Sequence, residues 1–396
     1  MAIRPNVTVS VVDNSFIVAT GEDSGSHVSA IYNTGLSGDN LVDIFGVTLD
    51  RSNKYMTIES AGAWVSKLNG TTLYGGVSGS GPTGSWKTDW YSAYNYLLYG
   101  GLLRITNDAT NLYDENIVLD SVFTSNISAT QTNWVSAMCT QRTDLVGIVG
   151  VTYMGYTGGS VPSGLETAGY SGASGVFPEA AKNLSLNTVM LVGGEKVSLA
   201  LSNTGEENYV DIPLASDVAG CFVRTDRETQ RWFSPAGVRR GRVLNIIRLK
   251  KNLSATEQDN LYTAKINYML GVPGSGTFLF GDITKEGTAT STLTRINVVR
   301  LINYIKKTVS RTAQSVLFEI NDDLTRSLFT NAAVGFLQDI QDGRGLYGFK
   351  VVCDASNNSA AIVDSNQFVA DLYIKPTKSI NYVKIVITNV NTDTVL

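Results

Sequence analysis

The chain has 396 residues, of which 43% are hydrophobic and 17% are charged, so it is long enough for two or three domains with sizeable cores. Its net charge of -4 argues against sequence-independent nucleic-acid binding by the whole molecule. The 3 cysteines are far apart, which excludes a disulfide framework and a metal-binding spacing and favours synthesis in a reducing cytoplasm. Low charge and 38 glycines suit a surface covered by neighbouring subunits, although an ordinary β-rich soluble protein has a similar composition.

No targeting or membrane segment is predicted. Residues 1–5 do not lead into the apolar core of a signal peptide. No run approaches the roughly 18 consecutive apolar residues that a membrane-spanning helix needs. We therefore expect a protein that is soluble when made and does not insert into a membrane.

Two strand-like segments lie at the ends of the chain, outside the predicted globular parts. Residues 1–19 include an alternation of apolar and polar positions with period two, and residues 381–396 include a run of high β-propensity. Terminal segments usually fray unless something holds them, so we expect two extended arms that pair with neighbouring subunits. The apolar positions of the two arms are Val7, Val9, Val11, Val383, Ile385 and Ile387.

Residues 20–250 predict an α/β body, because helical patterns alternate with apolar runs typical of buried parallel strands. Residues 224–241, rich in Gly, Pro and aromatic residues, predict an ordered loop and strand edge. The other predicted elements are helices at 61–68, 89–99 and 133–141 and strands at 102–105, 145–151 and 189–192.

A C-terminal α+β domain is predicted at residues 251–380, after a boundary near Lys250 and Lys251. Ser254 and Glu257 form a capping box that begins a helix, which we expect to run to about residue 270. A turn at residues 271–276 follows. The remaining predicted elements are strands at 277–282, 316–320, 348–353 and 368–374 and helices at 295–311 and 322–342.

The helix at residues 322–342 has clear end signals. Residues 321–323 supply its N-terminal cap, and Gly343 lies where it should end. Its apolar residues at four-residue spacing are Leu324, Leu328, Ala332, Phe336 and Ile340.

Residue patterns for chemistry are missing from the chain. The single histidine, His27, lies in a Ser/Gly loop, where a lone histidine is usually inert. The Gly-rich run at 75–84 does not continue into the Lys-Ser/Thr of a phosphate-binding loop. The acidic pair at 206–207 lies in a polar loop. The pair at 322–323 lies at a predicted helix N-terminus, where the helix dipole favours acidic residues. We therefore predict no catalytic residue, metal ligand or cofactor, and we do not expect an enzyme.

Ordered motifs in the second half of the chain resemble the contractile tail sheath proteins of bacteriophages. The resemblance is close from residue 211 to the C-terminus, weaker over residues 41–107 and poor over residues 108–209. The matching runs are 217–220, 224–226, 232–241, 281–282, 295–301, 318–321, 351–354, 375–376 and 379–382.

The resemblance implies a structural subunit that polymerises helically, as stacked rings, around a tail tube. It implies contraction that drives the tube through the host cell envelope. The implied partners are further copies of the chain, the tube protein and the baseplate and tail terminator proteins, without nucleic acid. The resemblance also implies a place in the virion tail after synthesis in the host cytoplasm, and a C-terminal domain whose sheet is completed by the terminal arms of neighbouring subunits.

The helix at residues 295–311 carries five basic residues and no acidic one. One interpretation is a solvated helix face, and the other is an electrostatic contact with an acidic neighbour, either the tube or an adjacent sheath subunit. The candidate residues for that contact are Arg295, Arg300, Lys306, Lys307 and Arg311.

A different class of function remains open at this stage. A tail or baseplate binding module could recognise a cell-surface glycan through the aromatic residues between Trp86 and Tyr99. Their helical spacing favours packing in a core or an interface instead.

Overall fold

The computed structural model describes residues 28–32, 55–66, 87–106, 119–124, 129–151, 186–200, 209–286 and 291–379. Within these ranges helices and strands are mixed, which confirms the predicted fold class, and the strands form three sheets. The apolar positions of both predicted arms lie outside the described residues. None of the helices in the described ranges is both long and apolar enough to cross a membrane.

Strands and short helices alternate in the first half of the chain. These elements are β1 (Val28–Tyr32), β2 (Tyr55–Ile58), α1 (Ala61–Ser66), α2 (Lys87–Leu98), β3 (Leu102–Thr106), β4 (Ser121–Thr124), α3 (Ala129–Gln141), β5 (Val146–Val151), β6 (Val189–Gly193), β7 (Glu195–Leu199) and β8 (Tyr209–Pro213).

Longer helices occur in the second half. Its elements are α4 (Ala215–Glu228), β9 (Arg248–Leu249), α5 (Ala255–Thr263), β10 (Ile266–Val272), β11 (Gly276–Phe280), a 3₁₀ turn (Thr292–Thr294), α6 (Ile296–Val316), α7 (Asp323–Asp342), β12 (Leu346–Val352), α8 (Ala360–Asp364) and β13 (Asp371–Pro376).

The body is built around an eight-stranded sheet with the order β11-β10-β6-β5-β4-β1-β3-β2. Its neighbouring strands from β10 to β3 run parallel, and the outer strands β11 and β2 pair antiparallel. Every residue of β5 and β6 is buried, as predicted from their continuous apolar sequences. The smaller sheets are β8-β7-β9 and β12-β13.

The helix predicted to run to about residue 270 ends at Thr263, and residues 266–272 form strand β10 instead. The capping box at Ser254 is present as predicted, so the error lies in the end of the helix and not in its start. Ile266 aligns with Leu191 of β6, and this parallel pairing overrides the local helical pattern. Because β10 and β11 extend the sheet of the body, that sheet continues past the expected boundary near Lys250.

Helix α4 occupies residues that were expected to be loop at positions 224–228. Residues 215–223 of this helix are all buried, and four of its five charged residues lie in its last part, at positions 224–228. Gly220 permits its close packing, because a Cβ at this position would lie 2.2 Å from the ring of Tyr99.

The predicted strand at residues 316–320 is wrong. Helix α6 continues through Val316, and the chain then turns, with Phe318 at a positive φ of 71°. Within the described residues this segment has no partner strand, and a short apolar run without a partner cannot form a sheet.

Helix α7 has the predicted ends, and of its apolar residues at four-residue spacing only Ile340 is fully buried. The backbone N–H of Thr325 donates to the Asp322 side chain at 2.8 Å, and Gly343 is the C-terminal cap. Leu324 and Leu328 are largely exposed. The buried positions are Phe329, Ala333, Leu337 and Ile340.

Asn267 connects β10 to the segment that leads into α6. Its side-chain amide donates to the carbonyls of Leu191 and Ile283 at 2.9 and 2.8 Å and accepts from the Ile283 N–H at 2.9 Å. Asn267→Ala leaves these buried groups without partners, so the free energy of unfolding should fall by about 3 kcal/mol. Urea denaturation followed by circular dichroism measures this, with the exposed Asn331→Ala as the control. A change equal to that of the control would contradict the structural role of Asn267.

Candidate functional site: an ion-pair network between helix α6 and the body

Helix α6 lies against the edge of the body sheet at which the parallel strands begin. Asp120 directly precedes β4 and Asp144 comes shortly before β5, so the two carboxylates lie at the starts of neighbouring strands. Lys307 of α6 reaches both carboxylates, with its Nζ 3.1 Å from Asp120 Oδ1 and 3.5 Å from Asp144 Oδ2. The helix is therefore held to the sheet by charge as well as by apolar packing.

Three arginines extend this contact into a network. Arg300 of α6 forms an ion pair with Asp226 near the end of α4. The guanidinium of Arg231 lies 3.2 Å from Asp120 and 3.7 Å from Asp226. Arg142 approaches Asp144 at 2.9 Å, so each of the three carboxylates of the network has two cationic partners.

The network surrounds a cavity of about 20 Å³. A cavity of this size has room for a water molecule but not for an organic ligand. The lining residues are Asp120, Asp144, Val146, Asp226, Arg231, Arg300, Asn303, Tyr304 and Lys307. We therefore interpret the network as a structural joint between α6 and the body.

The charges of the network stabilise one another in spite of burial. Burial by itself raises the pKa of Asp144, but Lys307 and Arg142 outweigh burial and hold this pKa below its usual value. Asp226 and Arg300 have side chains that are only 3% and 6% exposed, and their pairing replaces part of the hydration that each charge has lost.

Four of the five predicted basic contact residues have partners within this chain. Arg295 pairs with Asp282 at 2.9 Å, and Lys306 donates to the hydroxyl of Thr143. The partners of Arg300 and Lys307 are the carboxylates of the network. Arg311 is exposed. A contact of these residues with a tube or a neighbouring subunit remains a prediction.

Other sequence-predicted features lie outside the described residues. They include Val7, Val9, Val11, Val383, Ile385 and Ile387 of the arms, His27, the run at 75–84 and the acidic pair at 206–207. Among the residues that are described, no group of three or more His, Cys, Asp or Glu side chains is arranged to hold a metal ion.

A second charged site lies entirely inside the body. Lys196 of β7 places its Nζ 2.8 Å from Asp217 Oδ1 of α4, and both side chains are fully buried. The Tyr99 hydroxyl donates to the same Asp217 oxygen at 3.0 Å, and Lys196 donates to the Leu244 carbonyl at 2.7 Å. This arrangement connects α2, β7, α4 and the loop before β9.

Burial sets the protonation behaviour of this second site. It lowers the pKa of Lys196 and raises the pKa values of Asp217 and Tyr99, because each charged form loses its hydration. The mutual attraction of Lys196 and Asp217 offsets part of this loss. Because Lys196 and Asp217 are fully buried, we interpret the site as a polar anchor inside the body.

The aromatic residues of α2 form a core rather than an open binding platform. Trp90, Tyr91 and Tyr96 are 2%, 0% and 0% exposed. The ring of Trp90 stacks on Trp64 with a centroid distance of 5.7 Å. These positions confirm core packing, and the alternative glycan-binding function is not favoured.

Sequence reasoning missed the acidic half of the network. Asp120 and Asp144 each come just before a buried parallel strand, and this shared position is a usable signal, since the starts of parallel strands meet at one edge of a sheet. Asp226 gave no comparable signal, because the helix that positions it was itself not recognised. For the second site, the available signal was Lys196, a charged residue inside a strand-like segment, where burial requires an acidic partner.

Acid should weaken the network. The folded-state pKa of Asp144 is depressed, so its contribution to stability is fully present above about pH 4 and is lost as the pH falls through the lower folded-state pKa. Asp144→Asn should therefore be less stable than the wild type near neutral pH and lose less stability on acidification. Urea midpoints measured across this pH range test the difference, with the exposed Asp364→Asn as the control. Identical acid dependence of wild type and Asp144→Asn would contradict the assignment.

Removing one member of the buried Lys196–Asp217 pair should be more damaging than removing both. Lys196→Met leaves a buried carboxylate without its cation and should reduce the free energy of unfolding by about 3–5 kcal/mol. The double variant with Asp217→Leu should recover part of that loss. Chemical denaturation of both variants tests this, and Lys250→Met, at a partly exposed pair with Glu195, should cost less than about 1 kcal/mol. A double variant no more stable than Lys196→Met would be inconsistent with the pair.

The C-terminal part of the chain matches a known family. Residues 288–388 match the phage tail sheath C-terminal domain. The tail sheath protein of Vibrio phage KVP40 is 44% identical over 182 residues, which is 46% of this chain and 27% of that protein. The tail sheath protein of Enterobacteria phage T4 is 38% identical over 215 residues, which is 53% of this chain and 31% of that protein. The matched part of the chain thus covers less than a third of the length of these relatives.

Solved structures match the fold over nearly the whole chain. The sheath of an extracellular contractile injection system in the contracted state has a TM-score of 0.69 at 15% identity, covering 98% of both chains. The contracted helical sheath of the anti-feeding prophage has a TM-score of 0.64 at 14% identity, covering 99% of this chain and 100% of the other. Motifs, relatives and fold agree, and the resemblance to contractile tail sheath proteins is confirmed.

Proposed function

We propose that the chain is a structural subunit of a contractile tail sheath. Many copies assemble helically, as stacked rings, around a tail tube, and contraction drives the tube through the host cell envelope. The observation that carries the proposal is the 44% identity over 182 residues to a protein named tail sheath protein. The fold shared with a contracted injection-system sheath supports it over the rest of the chain.

The partners in this proposal are further copies of the chain, the tail tube protein and the baseplate and tail terminator proteins. The site of action is the virion tail, after synthesis in the host cytoplasm. The helical sheath with a similar fold supports self-assembly. The candidate tube contact is the exposed Arg311, since the other basic residues of α6 have partners inside the chain.

The proposed link between subunits is the pairing of terminal arms, residues 1–19 and 381–396, with the small sheet of another subunit. Strands β12 and β13 pair only with each other among the described residues, so both outer edges of this sheet are available to an added strand. Tyr347 on β12 is 65% exposed, which provides apolar surface for an arm to cover.

Burial of apolar side chains must supply the net stability of such an arm. Ordering an arm of about ten residues costs roughly 1–2 kcal/mol of backbone entropy per residue. Each new hydrogen bond contributes only about 1 kcal/mol net. Strand pairing alone therefore gives the ordered arm no net stability. Burial of its valine or isoleucine side chains must supply the remaining favourable free energy.

Contraction in this proposal is a rigid-body movement that needs no nucleotide. The ion-pair network holds α6 to the body through Lys307 and Arg300, so each subunit moves as one unit. The energy is stored in an extended lattice that is kinetically trapped, and the arms act as compliant links when subunits rotate.

The N-terminal arm provides a direct test. Replacing Val7, Val9 and Val11 together by Asn removes the apolar face of the arm and should abolish the tubes that the full chain forms, seen by negative-stain microscopy. The control replaces the intervening Thr8 and Ser10 by Ala, which keeps the apolar face and should leave tube formation intact. Tubes of normal appearance from the triple Asn variant would contradict the linking role of the arm. Absence of tubes from the unmodified chain under all conditions would contradict the sheath proposal itself.

A further inference from the structure

The turn between α6 and α7 presents an uncovered apolar surface. Phe318 and Ile320 in the turn are 86% and 76% exposed, and Leu324 and Leu328 on the first turns of α7 are 66% and 62% exposed. We call these four residues the apolar ridge. Leu324 and Leu328 are one helical turn apart and therefore lie on the same face of α7. Soluble monomers rarely leave so many large apolar side chains uncovered in one segment.

Acidic side chains accompany the ridge. Glu319 lies between its first two members, and Asp322 and Asp323 lie at the N-terminus of α7. The Asp323 side chain is 93% exposed although it pairs with Arg326 at 2.6 Å. A partner for this surface needs an apolar contact together with positive charge.

The chain itself contains a surface with these properties. Residues 237–241 form a tight turn, closed by a hydrogen bond from the Gly241 N–H to the Gly237 carbonyl at 2.8 Å. Val238, at the tip of this turn, is 50% exposed, and Arg239 beside it is exposed with no ion pair among the described residues. We call residues 237–241 the basic turn.

The ridge and the basic turn lie at opposite ends of α6. Arg240 of the basic turn donates to the Ser234 carbonyl at 2.6 Å, and the Ser234 hydroxyl donates to Asp282 at 3.0 Å. Asp282 in turn pairs with Arg295, the N-terminal cap residue of α6. The ridge follows the C-terminal end of α6, and 21 helical residues span about 30 Å. The two surfaces of one copy therefore cannot meet each other.

The last described residues of the chain also lie far from the ridge. The Thr377 carbonyl accepts from Asn297 in the first turn of α6, and Ser379 bonds to Asp282. Thr377 and Ser379 thus lie at the same end of α6 as the basic turn, about 30 Å from the ridge.

We propose that the apolar ridge of one copy binds the basic turn of a second copy. Val238 contacts the exposed leucines of α7, and Arg239 pairs with Glu319 or Asp323 at the edge of the ridge. A contact between two different surfaces at opposite ends of a helix is head-to-tail and leaves a free ridge and a free turn at each end of the assembly. This inference rests on the proposed sheath function, because a helical polymer requires such an open contact.

Photo-crosslinking identifies the occupant of the ridge. Benzoyl-phenylalanine is placed at position 324 of the full chain, and equal amounts of ¹⁴N- and ¹⁵N-labelled protein are mixed, assembled and irradiated. Mass spectrometry should find crosslinks to the peptide containing residues 238–240, with mixed-isotope pairs that prove a contact between copies. Crosslinks to residues 380–396 or 1–19, same-isotope pairs alone, or no crosslink would each overturn the proposal.

Charge reversal provides a second, independent measurement. Glu319→Lys and Arg239→Glu should each raise the concentration at which the chain assembles by about tenfold, and the two together should restore it. The matched control is Arg248→Glu at an exposed site on β9, and circular dichroism verifies the fold of each variant. Unchanged assembly of both single variants would overturn the pairing.

The outcomes separate this proposal from the function on which it rests. If the unmodified chain never forms tubes but the chain with benzoyl-phenylalanine at position 324 gives mixed-isotope crosslinks at residues 238–240, the sheath function is overturned and the ridge contact is supported. Normal tubes from the unmodified chain without those crosslinks would support the sheath function and overturn the ridge contact.

Discussion

The architecture depends on a set of charges that have lost most of their contact with water. Asp226 and Arg300 have side chains only 3% and 6% exposed, and Lys307 lies between two carboxylates at the start of the parallel strands. A buried charge is tolerated only when its partners replace hydration with good geometry, so small displacements of α6 are strongly opposed. The network therefore defines the position of α6 more sharply than apolar packing alone would.

Apolar contacts on the same helix connect two cores. Ile296 and Val299 in its first turn pack in the core that lies against the large sheet. Ile305 and Val309 pack in a separate core with α7 and the small sheet. One rigid helix of about 30 Å thus belongs to both cores, which couples the body to the C-terminal unit. The apolar ridge and the basic turn at its ends are therefore held at a constant separation.

Local signals predicted the elements whose environment can be read from neighbouring residues. The capping box of Ser254 and Glu257 and the end of α7 at Gly343 depend on contacts within one turn, and both are present. The continuous apolar sequences of β5 and β6 identified strands buried on both faces. The predictions failed where a distant partner decided the outcome. β10 is a strand because β6 lies beside it, and residues 215–223 of α4 are all buried by other parts of the chain.

The sequence by itself determined that the chain has a mixed α/β fold, that a basic helix occupies residues 295–311 and that its motifs resemble those of tail sheath proteins. The tertiary structure alone decided what the basic helix binds, since Lys307 and Asp120 are 187 residues apart in the chain. It also decided which face of α7 is buried, leaving Leu324 and Leu328 exposed. The physical reason is that the strength of an ion pair and the burial of an apolar side chain depend on the surrounding solvent, which distant parts of the chain exclude.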